Sequence, residues 1–250
     1  MSELLKSEKF DWSEFIELET IGGATPPPGK QVINFLSTDK NYQQDPEART
    51  FVEQYLDKAK CFDIDAEVIK YACEQIPLDG LILEMGVCTG RTINFIAALN
   101  PRKVIYGFDS FCGLPEPWHG RTDFDFPKGV YAFKEPTQRP PVLHNVRLIA
   151  GLFQDTLPRF QQEILGTKPI SFLHIDCDIY SSTKTIFSEL SNNIVEGTII
   201  LFDELYNYPG FQHHEFKAFQ EFLEDQNKVA EYLAFNANWE RVAVRIHNGN

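Results

Sequence analysis

From Leu81 to Asp225 the chain alternates short apolar runs with stretches of helical period, and this alternation limits the fold more than any other feature. Leu81 to Met85, Lys103 to Phe108, Asn145 to Ile149, Ile170 to Ile175 and Thr198 to Phe202 read as strands. Arg91 to Leu99, Thr156 to Leu165 (opened by Asp155), Ser181 to Asn192 and about His213 to Asp225 read as helices. Tyr232 to Phe235 and Arg241 to His247 face each other across an Asn-Ala-Asn turn as a hairpin. Strands separated by helices with short connections predict a mostly parallel sheet covered on both faces, closed by an antiparallel hairpin.

Upstream, Pro46 to Lys60 and Ile64 to Gln75 carry helical patterns, whereas the run Gly22 to Gly29, with three prolines, cannot continue a helix or a central strand. Residues 1–60 are therefore expected to form an irregular and helical extension serving as a lid or an oligomer contact, and 61–250 the main domain. One connection is too long for a plain strand-to-helix turn. Between Asp109 and Asn145 lie Phe111, Trp118, His119, Phe124, Phe126, Tyr131 and six prolines. Ordered loops of that length are usually functional, so a lid insertion is expected at about 110–144.

Two strands stop abruptly at carboxylates, Phe172 to Asp178 and Leu201 to Glu204. Side chains alternate along a strand, so His174, Asp176 and Asp178 share one face and Ile175 and Cys177 the other. Ligands of open α/β sheets bind beyond the carboxyl ends of the strands. Four acids at such a rim repel one another unless a cation or proton offsets their charge. Hard oxygen donors on separate strand ends suit Mg²⁺, which keeps several waters and takes few protein ligands. Asp176, Asp203 and Glu204 are the expected metal ligands, and Asp178 the expected general base; helix capping before Ser181 is the alternative for Asp178. His174, deeper in its strand, reads as a buried structural histidine, and Cys177 as a core thiol. His213, His214 and Glu215 are left outside the metal site, because an acid in a helix's first turn has a dipole explanation.

The turn Glu84-Met85-Gly86-Val87-Cys88-Thr89-Gly90 leads from the first strand of this series into its helix. Gly86 and Gly90 let the backbone bend and approach a ligand without a Cβ in the way. The spacing is not GxGxxG, and an acid before the turn suits an ammonium group better than a diphosphate. Asp109, at the tip of the next strand, is placed to accept from ribose hydroxyls. A nucleoside with an amino-acid tail and no phosphate answers both acids, and that molecule is S-adenosyl-L-methionine.

Composition narrows the partners. A net charge of -13 disfavours broad contact with nucleic acid, which needs clustered Lys and Arg. No apolar run approaches a membrane span, and Met1 to Phe10 lack a signal-peptide core. Five cysteines without paired spacing read as reduced thiols, so a cytoplasmic location is expected.

Several ordered motifs resemble the macrocin O-methyltransferase family, class I enzymes that methylate sugars of natural products. They are Glu84-x-Gly86-x-x-x-Gly90, Tyr106-Gly107-Phe108-Asp109-Ser110-Phe111-x-Gly113-Leu114-Pro115 and Gly151-x-Phe153-x-Asp155-Thr156-Leu157-Pro158. They continue through His174-Ile175-Asp176-x-Asp178-x-Tyr180-x-Ser182-Thr183, Phe202-Asp203-Glu204 and Tyr208-Pro209-Gly210. The resemblance implies a Rossmann-like class I methyltransferase fold, an α/β architecture whose seven-stranded, mostly parallel sheet has an antiparallel last strand and helices on both faces. It implies S-adenosyl-L-methionine bound by Glu84, Gly86, Gly90, Thr92, Asp109, Ser110, Gly151, Phe153 and Asp176. It also implies Mg²⁺ on Asp176, Asp203 and Glu204, Asp178 as base, a hydroxylated small-molecule acceptor (a sugar or polyol) and, as an open expectation, a homo-oligomer. Two departures stand out: the family often has an acid where Cys112 stands, and many relatives have Asp at position 204. Methylation of a catechol-like phenol, or a non-catalytic binding protein on the same scaffold, are the competing functions. A nicotinamide oxidoreductase is disfavoured by the glycine spacing.

Overall fold

The computed structural model describes residues 45–119, 126–135 and 137–249. The glycine- and proline-rich start and the lid residue Phe124 lie outside them. In chain order the elements are α1 (Pro46–Phe51), β1 (Lys60–Phe62), α2 (Asp65–Glu74), β2 (Leu81–Met85), α3 (Arg91–Leu99), β3 (Ile105–Asp109) and β4 (Val146–Ala150). Then come α4 (Phe153–Phe160), β5 (Ile170–Ile175), α5 (Tyr180–Leu190), β6 (Ile199–Phe202), α6 (Glu215–Asp225), β7 (Lys228–Asn236) and β8 (Val242–Asn248).

The strands form one sheet in the order β1-β7-β8-β6-β5-β2-β3-β4, in which β8 alone runs antiparallel to both its neighbours. Every residue of β5 and β6 is buried, as continuous apolar runs in a sheet covered on both faces should be. On one face, Val68, Ile69 and Ala72 of α2 and Ile93, Ile96 and Ala97 of α3 pack on Ile82, Ile105, Phe172 and Ile199. On the other, Leu157 and Phe160 of α4, Phe187 of α5 and Phe222 of α6 pack with Leu83, Phe108, Leu173 and Ile200. Alternate strand residues thus feed opposite layers. The ring of Phe187 stacks on Phe222 at 4.5 Å between centroids, sealing α5 to α6. Such a pair adds about 0.5–1.5 kcal/mol beyond its buried area.

Among the described residues the sheet has eight strands rather than seven. The added strand, β1, lies where the helical pattern of Pro46 to Lys60 was expected to end; α1 instead passes through a π-helical turn at Val52–Leu56 before the chain extends. Lys60, Cys61 and Phe62 pair in parallel with Ala234, Phe235 and Asn236. Three residues have too little alternation to announce a strand, and the free edge of β7 creates it.

From β2 the chain steps outward through β3 to β4, then returns to place β5 on the other side of β2. The crevice between the ends of β2 and β5 is therefore a topological switch point, where open α/β sheets take their ligands.

Candidate active site

The two turns flanking this crevice touch. Gly86 has φ +96°, and a Cβ there would sit 1.6 Å from the carbonyl oxygen of Asp176. A side chain would force the β2 and β5 ends apart, so glycine is required by both conformation and contact. Gly90 (φ +82°) precedes α3 at its N-cap position, and Thr92 is buried in the first turn of that helix.

Glu84 is buried beside this turn, with Oε2 3.1 Å from Nδ1 of His174, its register partner on β5. Its other oxygen, Oε1, is buried without a partner. Burial pushes the Glu84 carboxyl up to about 7, and the His174 contact works against that rise. His174 is fully buried and hydrogen-bonded, in line with its structural reading.

Asp109 is more heavily engaged than its strand-end position suggested. Its Oδ2 accepts from the amides of Val87 and Cys88 at 2.8 Å each, and its Oδ1 from Phe111 at 2.6 Å. Two of its four lone-pair positions hold the glycine turn in shape and a third holds the turn after β3, leaving one acceptor position. Ser110 accepts from the Cys112 amide at 3.0 Å and donates to the Gly113 carbonyl at 3.1 Å. Gly151 (φ +143°) donates its amide to the Asp109 carbonyl at 2.9 Å, and Phe153 opens α4 immediately beyond.

The acids beyond β5 and β6 divide into two overlapping groups. Asp176, Asp178 and Glu204 have oxygens within 4.8 Å of one another, and Asp176 also groups with His174 and Asp203 within that distance. Asp203 is ion-paired with the buried guanidinium of Arg241, which also binds Asp65 at the start of α2. A chain of contacts thus runs from Glu84 through His174 and Asp203 to Arg241 and Asp65. Asp178, Asp176 and Glu204 converge with Asp203 set beside them, its charge met by arginine. Asp176, Asp203 and Glu204 stand at one rim, and Asp178, the expected base, lies there with Asp176 and Glu204.

Water-poor surroundings hold Asp176 and Glu204 above the usual carboxylate range, and for Glu204 the charges of Asp178 and Asp176 add to the rise. Asp178 adopts φ +67°, a left-handed conformation rare outside glycine. The N-cap position of α5 belongs to Ile179, so Asp178 lies one residue outside the site of a helix cap.

Two functional neighbours escaped the sequence reading. Glu215 is fully buried and packs near Asp178 and Asp176. Its signal was available: Glu215, Ala218, Phe219 and Phe222 share the inward face of α6, at spacings of three and four. Arg241 had no such signal, since it stands at the start of the last strand, far in sequence from its partners.

The described ends of the lid are ordered by pairing. The amide of Leu114 donates to Val130 and that of Trp118 to Phe126, each at 3.0 Å. The buried Trp118 ring lies 5.5 Å from Tyr208 and 5.9 Å from His214, and Ser181 donates to Glu116 at 2.5 Å. These contacts lay the lid over the beginnings of α5 and α6, next to the acids.

The sheet order and its switch point define a Rossmann-like α/β architecture. Residues 83–205 match the family model described as a methyltransferase domain. Among solved structures, the chain is similar to the calicheamicin methyltransferase CalS11, with 20% identity, 96% of this chain and 94% of that chain covered, and a TM-score of 0.59. A second, apo structure, titled CalS11, TDP-rhamnose 3'-O-methyltransferase of calicheamicin biosynthesis, is similar at 19% identity, 96% of each chain and a TM-score of 0.52. The O-methyltransferase NovP is similar at 18% identity, over 74% of this chain and 79% of that chain, with a TM-score of 0.54. At such identities the likeness is one of fold. No curated protein matches the chain in sequence.

Proposed function

We propose that the chain is an S-adenosyl-L-methionine- and Mg²⁺-dependent O-methyltransferase acting on a hydroxyl of a sugar or polyol of a small-molecule natural product. The observation that carries this reading is the convergence of Asp176, Asp178 and Glu204 beside the Gly86 turn at the switch point. The match of residues 83–205 to a methyltransferase domain supports the methyl donor, and the resemblance to macrocin O-methyltransferases supports the acceptor class. NovP, an O-methyltransferase, and CalS11, a TDP-rhamnose 3'-O-methyltransferase, favour the same class. We further propose a cytoplasmic, homo-oligomeric protein; no helix among the described residues is long and apolar enough to cross a membrane.

The residues fit both groups. Glu84 offers a buried, unpartnered oxygen to an ammonium, and Gly86 removes the Cβ that would fill the crevice. Gly90, Thr92, Asp109, Ser110, Gly151 and Phe153, at the end of β3 and on the segments that follow β2, β3 and β4, are the further residues assigned to the nucleoside. Asp176, Asp203 and Glu204 are the proposed hard-oxygen donors, and a divalent cation would relieve the repulsion of Asp176 and Glu204 with the neighbouring Asp178. Asp203 belongs to the proposed set through Asp176, with its charge shared with Arg241.

When bound, the donor supplies an electrophilic methyl carbon and the cation lowers the pKa of a chelated hydroxyl. The chain's own task is alignment and proton transfer. Asp178 would accept the proton of the acceptor hydroxyl at its carboxylate, leaving an oxygen able to take the methyl group that the donor would supply.

The test is calorimetry with S-adenosylhomocysteine and with NAD, followed by mass spectrometry of sugar nucleotides and glycosylated small molecules incubated with the donor and Mg²⁺. Binding of the homocysteine product and a single added methyl on a sugar hydroxyl are expected. Binding of NAD in preference to the homocysteine product would sink the reading.

A further inference from the structure

We infer that Glu215 is a positioning residue that ties together the two strand-end turns carrying the acidic rim; the inference rests on the cation-binding reading above. Glu215 is the first residue of α6, and its side chain is fully buried. An acid in a helix's first turn ordinarily faces water, where it meets the helix dipole. Here it lies on the face that carries Ala218, Phe219 and Phe222 into the core.

Its contacts explain the placement. Oε1 accepts from the Cys177 amide at 3.4 Å and lies 3.9 Å from the Cys177 thiol, and the carboxylate lies close to the Glu204 amide on the other turn. Cys177 is the peptide unit between Asp176 and Asp178, beyond β5; Glu204 lies beyond β6. One side chain from α6 therefore engages both turns that present Asp176, Asp178 and Glu204. The β5 turn needs such a hold, since Asp178 is left-handed and the Ile179 amide closes on the Cys177 carbonyl at 2.7 Å. Oε2 of Glu215 is buried without a partner, which places an unshielded acceptor directly behind the rim. Glu215 is not within the group of Asp176, Asp178 and Glu204 whose oxygens approach one another, so it acts through them rather than as a ligand.

The experiment is titration of the full-length protein with Mn²⁺, without methyl donor, followed by calorimetry, on the parent, Glu215→Gln and Glu215→Ala. Glutamine keeps an acceptor for the two amides, and alanine removes it. Positioning predicts that E215Q binds Mn²⁺ nearly as the parent does, whereas E215A is weakened about 10–100-fold. Equal binding by the parent and E215A overturns the assignment. So does an equal loss in both variants, which would mean that charge rather than position matters. Hydrogen exchange of the Cys177 and Glu204 amides is the second readout, and it stands if E215A does not fold. Exchange as slow in E215Q as in the parent supports the tie, and acceleration by about tenfold or more removes it. A parent protein that takes up no Mn²⁺ overturns the cation reading, and amide exchange then still decides what Glu215 holds.

Discussion

Asp178 combines three properties that rarely coincide in one residue: a buried carboxylate, a left-handed backbone and two acidic neighbours. Strain of that kind costs on the order of 1–3 kcal/mol and persists where the surroundings overdetermine it. Replacing Asp178 with Asn keeps the shape and removes the proton acceptor. Turnover should fall about 10²–10⁴-fold while binding of S-adenosylhomocysteine is retained. Activity near that of the parent would return Asp178 to a purely structural role. Arg241 is the complementary case, a buried cation shared by Asp65 and Asp203. Arg241→Met strands two carboxylates in a water-poor site and should destabilise the fold by about 3–5 kcal/mol in urea denaturation. Adding Asp203→Asn should recover part of that loss; strict additivity of the two changes would show that the pair is not coupled. The carboxylates were legible in the sequence because two apolar strand runs stop at them; strand alternation did not place them, since β5 ends at Ile175 and Asp178 is left-handed. Arg241 was not, because no local pattern joins positions 65, 203 and 241.

Among the elements, α6 and the last hairpin show how much a period conveys. The spacing of Ala218, Phe219 and Phe222 was enough to orient α6, and it carried Glu215 inward with them. The hairpin was read from its turn residues, and its strands pair with the β-bulge between Tyr232 and Ala234 that alternation alone does not reveal. At the far end of β8, His247 lies between Glu196 at 2.6 Å and Glu231 at 3.1 Å, joining the hairpin to the turn before β6. Hydrogen bonds to Glu196 and then Glu231 raise the His247 pKa, and both glutamates are lowered. The folded imidazole therefore holds its proton to higher pH than the unfolded one. Its contribution is fully present below the unfolded value near 6.5 and is lost as pH rises through the raised folded value. Because the ring is partly exposed, the contribution is about 0.2–1 kcal/mol. His247→Gln should lower the melting temperature slightly at pH about 6 and leave it unchanged at pH about 9. A larger effect at the alkaline end would contradict the pairing.

For the whole molecule, the chief consequence of the proposed site concerns charge. A chain with a net charge of -13 gathers Glu84, Asp176, Asp178, Asp203, Glu204 and Glu215 at one end of its sheet. A ligand that binds only the folded form stabilises it by mass action, by about 2.7 kcal/mol at 100 times its dissociation constant. Mg²⁺ should therefore raise the thermal midpoint, and chelation should abolish methyl transfer while leaving the chain folded. Full activity in excess chelator, with no shift in midpoint, would exclude the metal.

The alternation of strands and helices, the order of the glycine turn and acidic strand ends, and the reversed last strand were all set by local pattern. Period and turn chemistry act over a few residues and are written in consecutive positions. Pairing at a distance is not. The eighth strand arose because β7 offered an open edge to three residues with no strong preference of their own. The partners of the acids were likewise chosen by packing: Arg241 for Asp203, the turn amides for Asp109, and the Cys177 amide for Glu215. Burial makes each such partner obligatory, and only the folded chain determines which group is near enough to serve.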